Sequence, residues 1–397
     1  MFLAKFRMAD RHRGGERGLI ARRKDLWNKD FGNGAMDYRQ DEIRDWVFAI
    51  VDEILRRFDV DGFEFNYIRH MNMFPKATAA ESHPIMTKFV RRVRQRLEVE
   101  SKQQGRKLLL GVRVPQTLEE CHQLGYDVPT WIKEGLIDYV APCDFFYPDF
   151  NAKYEEFAAL TRSSDCLLFP TVPPLLCRTD DVGLMRPENY RAAVRNMYAA
   201  GADGILQFND MYHWVRRFHS RYPGPQSGYP TALAWLRQMR RPEGFDFLPR
   251  HYLFLPLWPR NPPSGFHKRD SIVLKRTMGS SGKYHFRIAE NLTRPGLAAE
   301  LIVTASRSAP GDRLEFSLNG KVVPSGQIKV TWNKTGREAQ YGRPLQPCLT
   351  FMFRLDSLPT KFGDNQLGAK VIVLDEAGQG NIVIDELEVT VLPPPRS

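Results

Sequence analysis

Apolar positions along this chain change their spacing part-way through. From Asp41 to Arg57 they fall at Ile43, Trp46, Val47, Ile50, Val51, Ile54 and Leu55, the period of one helix face. Val60 to Ile68 is a short apolar run opened by Asp61-Gly62 and reads as a strand. The alternation then repeats. Helices are predicted over 82–104 with Pro84 in the first turn, over 118–134 with a break near Pro129, and over 151–161, 186–200 and 230–240. Strands are predicted over 107–114, 136–145, 166–172 and 202–209, with another over 2–8 ahead of the first helix. Strand followed by helix with short links implies parallel strands and right-handed crossovers. Two architectures fit: an open doubly wound sheet, or a (β/α)₈ TIM-type barrel lacking its first strands. No GxGxxG follows any strand, so the dinucleotide-binding open sheet has no support.

The second pattern is all-β. Short alternating runs cover 271–275, 284–288, 299–304, 313–318, 349–353, 365–373 and 382–391, with no helical period between them. Asn319-Gly320 after Leu314-Glu-Phe-Ser-Leu318 is a two-residue hairpin signal. The expected division is a partial barrel over 1–245, a Pro-rich linker over 246–270 and a β-sandwich over 271–397.

Parity singles out candidate chemistry. Along Val60–Asn66 the residues Phe63 and Phe65 share one face with Tyr67, while Gly62, Glu64 and Asn66 share the other. In a barrel the second face points to the axis and opens at the C-terminal mouth. The same test groups Leu109, Gly111 and Arg113, then Asp138, Val140, Pro142 and Asp144, then Ile205, Gln207 and Asn209. Glu64, Asn66, Arg113, Asp144, Gln207 and Asn209 would ring one mouth. A plainer alternative is that Glu64 and Arg113 are a buried ion pair on adjacent strands. Polar bursts after other strands, Arg7, Asp10 and His12 after the first and Arg69-His70 after the Glu64 strand, fit loops at the same mouth. A frayed basic terminus is the alternative for the first of these.

Met36-Asp-Tyr, Ile43-Arg-Asp-Trp-Val-Phe-Ala-Ile-Val-Asp-Glu-Ile-Leu and Phe58-Asp-Val-Asp-Gly-Phe-Glu-Phe-Asn-Tyr-Ile-Arg-His70 resemble bacterial glycosyl-hydrolase-like barrel proteins of the family 10-like hydrolase domain type. The resemblance is specific over 36–75 and extends in pattern to about residue 240. It implies a (β/α)₈ fold in which the Val60 strand is the fourth and residues 2–8 end the third, so that an upstream reading frame would be expected to supply the first strands. It also implies glycoside hydrolysis of a poly- or oligosaccharide by paired carboxyl groups, with Glu64 and Asp144 as the pair and Asp10 and Asp210 in reserve. Arg113 and His70 would tune or bind, and Tyr147 and Trp214 would stack on sugar rings. Asn66 stands where those proteins carry a carboxylate. If that acid matters, the chain is a non-catalytic carbohydrate-binding barrel; if Glu64 matters, nothing is lost.

Composition narrows the partners. The chain has 397 residues, 42% hydrophobic, with a formal charge of +11. The basic residues are spread along helices, as in Arg91-Arg92-Val93-Arg94-Gln95-Arg96, which suits a solvated face better than a nucleic-acid stripe. Five cysteines without CxxC spacing read as buried reduced thiols. No apolar run has the length of a membrane span, and residues 1–7 have no signal-peptide core. Asp10 and His12 could be metal ligands, but no HExxH or histidine cluster supports them, and neither a metal nor a cofactor is expected.

Overall fold

The computed structural model describes residues 3–7, 23–30, 35–68, 71–144, 147–177, 182–208, 237–240, 242–254, 271–292, 296–334 and 347–393. Its first half is a row of parallel strands in chain order: β1 Leu3–Arg7, β2 Gly62–Asn66, β3 Leu109–Val114, β4 Tyr139–Pro142 and β5 Leu167–Leu168. Past Pro170 the chain resumes as β6 Thr171–Val172, which pairs in parallel with β7 Leu206–Gln207. Mixed α/β architecture and parallel pairing are thus as the alternation predicts.

The helices between these strands follow their apolar stripes. Helix α1 Asp41–Arg57 buries Ile43, Val47, Val51 and Leu55, and its ends carry Asp41 and Glu42 first and Arg56 and Arg57 last, complementing the helix dipole. Helix α2 His83–Gln104 takes Pro84 in its first turn and stops at Gly105, whose φ of 68° is left-handed. The predicted 118–134 helix is two, α3 Leu118–Gln123 and α4 Val128–Lys133, each capped by a side chain: Thr117 accepts from Glu120 N and Asp127 from Thr130 N. Helices α5 Tyr154–Thr161 and α6 Pro187–Ala199 follow, and the predicted 230–240 helix lies mostly outside the described residues.

Gly62 sits where β2 meets β3 at a φ of +145°, and a Cβ there would lie 2.0 Å from the Leu109 carbonyl oxygen. Glycine is required by both backbone conformation and close approach.

Two antiparallel sheets follow. One has the order β8 Arg250–Phe254, β17 Ile382–Leu392, β11 Ala298–Ser306, β15 Cys348–Arg354, β14 Lys329–Asn333, with β9 Ile272–Leu274 also on β17. The other is β10 Ser281–Ile288, β16 Gly363–Val373, β12 Arg313–Leu318, β13 Lys321–Val322. They pack face to face: Phe316 of β12 meets Phe351 and Phe353 of β15 at ring separations of 4.9 and 5.9 Å. Asn319 and Gly320, at φ 49° and 86°, turn β12 into β13 as the dipeptide predicts.

The stretch expected to be linker differs. Arg250–Phe254 is a strand, paired antiparallel with Arg250 opposite Val391 and Phe254 opposite Leu387. One apolar cluster also crosses the border expected near residue 245. It joins Phe150, Val172 and the α6 residues Tyr190, Val194 and Met197 to the sandwich residues Tyr252, Phe254 and Phe286. Polar groups tie the same seam. Asn196 donates to the carbonyls of Phe150 and Arg287, both at 2.9 Å, and accepts from Ala289 N. Beneath it, the fully buried Arg250 grips Glu290 with Nε at 2.9 Å and Nη2 at 2.7 Å, while its Nη1 caps the carbonyls of Phe245 and Leu248. Tyr252 donates to the same carboxylate at 2.7 Å.

Candidate active site

Glu64 lies mid-strand on β2. Partner residues in a parallel ladder point to the same side, and the register aligns Glu64 with Gly111 and Gly111 with Tyr139. The opposite side belongs to Phe65, whose ring stacks on Phe89 of α2 at 6.0 Å. On the Glu64 side three strands converge. Arg113 Nε donates to Glu64 Oε1 at 3.2 Å, and the Tyr139 hydroxyl donates to Oε2 at 2.9 Å. The side chains of Arg113 and Glu64 are 1% and 5% exposed, so this is a buried ion pair. Removing one partner of such a pair is far costlier than the net value of having it. The ring of Phe208 covers the guanidinium at 5.3 Å.

Tyr139 reaches Glu64 because Gly111 leaves room. A Cβ on Gly111 would lie 1.9 Å from Tyr139 Cζ. Burial, joined by the negative charge of Glu64, pushes the Tyr139 phenol well up, so it keeps its proton and donates. Gly111→Ala should therefore expel the ring and cost about 1–3 kcal/mol. Tyr139→Phe, which keeps the ring and deletes the hydroxyl, should cost nearer 1 kcal/mol. Urea midpoints of the two variants check the order; equal costs would mean the ring does not depend on Gly111.

The fourth-strand parity expected from sequence is corrected by this register. Tyr139 and Ala141 share the face of Glu64 and Arg113, so Asp138, Val140 and Pro142 take the other. Asp138 instead binds Lys107 at 2.6 Å, the Leu110 amide at 2.7 Å and Arg94, away from Glu64. Asp144 lies two residues past β4, half-buried, and strand parity does not bring it to Glu64. The last strand shifts likewise. Gln207 is in register with Val172, which packs in the α6 cluster, whereas Phe208 is the residue that meets Arg113. The Gln207 amide is buried with no partner on either atom.

Asn66 is buried on the Glu64 face, in register with Arg113, and its Oδ1 accepts from Ile68 N at 3.1 Å. It closes the strand end as an asparagine turn. Arg7 is in register with Asn66 through the backbone of β1. Tyr147 is buried just after β4. Asp10, His12, Arg69, His70, Asn209, Asp210 and Trp214 lie outside the described residues.

Sequence reasoning missed Tyr139 as a partner of Glu64. The signal for Tyr139 was Gly111, a small residue inside a strand, which marks close approach by a neighbour. Cys143, next to the site, is fully buried, and burial pushes its thiol up to about 12, so it is neutral. Cys121, Cys143 and Cys166 are buried and unbridged. Among the described residues no group of three or more His, Cys, Asp or Glu could hold a metal, and no helix is long and apolar enough to cross a membrane.

No family model matches the chain, and no curated protein matches it. Solved structures of glycoside-processing enzymes are similar at low identity. A cycloisomaltooligosaccharide glucanotransferase from Paenibacillus sp., complexed with cycloisomaltoheptaose, is 10% identical over 97% of this chain and 45% of its own, with a TM-score of 0.30. A noncanonic maltogenic α-amylase from Thermotoga neapolitana is 10% identical over 94% and 78%, with a TM-score of 0.33. The PgaB glycoside hydrolase domain from Bordetella bronchiseptica is 12% identical over 59% and 74%, with a TM-score of 0.31. This chain spans less than half the length of the glucanotransferase. At such distances any functional reading stands on the chain's own residues.

Proposed function

We propose that this chain is a glycoside hydrolase of the (β/α)₈ barrel type, acting on a poly- or oligosaccharide at the C-terminal ends of its parallel strands. The observation that carries the reading is the buried Glu64, held by a guanidinium on one oxygen and a phenol on the other. A carboxyl group that accepts from both is kept ionised and aimed. That suits a nucleophile or a stabiliser of an oxocarbenium-like transition state, and not the general acid. Asp144, half-buried in the loop after β4, is the proposed acid. Carboxyl groups about 5 Å apart would give retention and a wider gap inversion. Arg7, Asp10, His12, Arg69, His70, Tyr147, Asn209, Asp210 and Trp214 are the proposed sugar contacts.

A second reading, carbohydrate binding without turnover, has one observation in its favour. Asn66 replaces the acid of the resembling proteins and spends its side chain on the Ile68 amide. Hydrolysis of a polysaccharide panel by the wild type and by Glu64→Gln separates the two. The hydrolase reading expects Glu64→Gln to lower kcat on the order of 10³-fold or more. Binding without turnover, unchanged in the variant, sinks it.

A further inference from the structure

Among the described residues several buried amides are committed to protein groups, while Gln207, on the side of Val172, and Gln116 have no partner on either atom. Asn28 donates to the Asn72 carbonyl at 3.2 Å, Asn189 to the His251 carbonyl at 3.1 Å, and Asn196 holds three backbone partners. Gln116 is 2% exposed, yet neither its Nε2 nor its Oε1 has a partner. It stands two residues past β3, at the C-terminal end of the strand beside the one that carries Glu64. On that same strand Arg113 leaves Nη1 unpartnered while Nε holds Glu64. A buried amide with neither donor nor acceptor engaged weakens the folded state, and such groups persist where function retains them.

We propose that Gln116, with Nη1 of Arg113, forms a subsite for neighbouring hydroxyl groups of a sugar ring. This deepens the hydrolase reading and takes its substrate class from it. The chemistry selects a neutral ligand. Glu64 already balances the charge of Arg113, so an anion would meet no net cation. The amide both donates and accepts, Nη1 only donates, and a hydroxyl, which does both, can satisfy either.

The test is Gln116→Met, similar in length and without the amide, made in the full chain. In ligand-free protein Tm should rise by roughly 2–4 °C, because an unmet polar group has been removed. Calorimetry with maltoheptaose, cellohexaose, chitohexaose and xylohexaose finds the sugar that the wild type binds best. The variant should bind it about tenfold more weakly, the loss of one donor and one acceptor bond. Gln116→Asn, which keeps the amide but withdraws it by a methylene, should lose affinity without gaining Tm. A lower Tm in Gln116→Met, unchanged affinity in both variants, or no wild-type binding to any of these sugars overturns the subsite. A wild type that binds a sugar without cleaving it ends the hydrolase reading and leaves the subsite standing.

Discussion

Arg250→Met should lower the unfolding free energy by about 3–5 kcal/mol, the usual cost of leaving one member of a buried pair uncompensated. Methionine fills much of the same volume, so the loss isolates charge and hydrogen bonding from packing. Glu290 would keep Tyr252 at 2.7 Å and Arg195 at 3.6 Å, but lose both arms of the bidentate grip. The carbonyls of Phe245 and Leu248 would lose their shared donor. The double variant Arg250→Met with Glu290→Leu should recover part of the loss, since no buried charge is then stranded. Urea unfolding followed by circular dichroism measures all three. A single variant within 1 kcal/mol of wild type would show that the pair does not hold the seam.

Gly62→Ala is expected to be as severe by a different route. The new methyl would meet backbone, the Leu109 carbonyl at 2.0 Å and its amide nitrogen at 2.6 Å, and backbone cannot swing aside as a side-chain end can. The φ of +145° adds strain for any L side chain. Relief requires β2 and β3 to separate, which would disturb the register that sets Glu64 beside Gly111 and Asn66 beside Arg113. We expect a loss above about 4 kcal/mol or failure to fold, read from soluble yield and thermal unfolding. A stable Gly62→Ala protein with unchanged Tm would mean that the strands pair otherwise.

What was legible in the sequence divides along physical lines. Helix α1 shows its bounds because burial, capping charge and period agree at both ends. The Glu64–Arg113 pair follows from alternation alone, since each strand carries a glycine and a polar residue on one parity. Tyr139 did not, because polarity at Asp138 and Asp144 suggested the wrong face, and a strand's face is set by its neighbours' register and not by its own composition. Phe208 and Gln207 exchange faces for the same reason. Strand β8 was hidden by the prolines around it, Pro249 before it and Pro256 after it. Strand β14 is largely exposed and shows no alternation to read.

The place of Ile382–Leu392 in its sheet bears on how the chain is made. Among the described residues, β8 has no sheet neighbour except this strand, and β9 and β11 lean on it too. The ribosome delivers it last of all the strands described. Until then β8 lacks its sheet partner, and the packing of β8 against α6 has no ladder to hold it. The first cluster, running from Leu26 to Leu168 with Phe208, takes no residue from this region and can settle early. Until Ile382–Leu392 is made the chain holds one finished core and one waiting core, and the second half becomes cooperative only once that strand is in place.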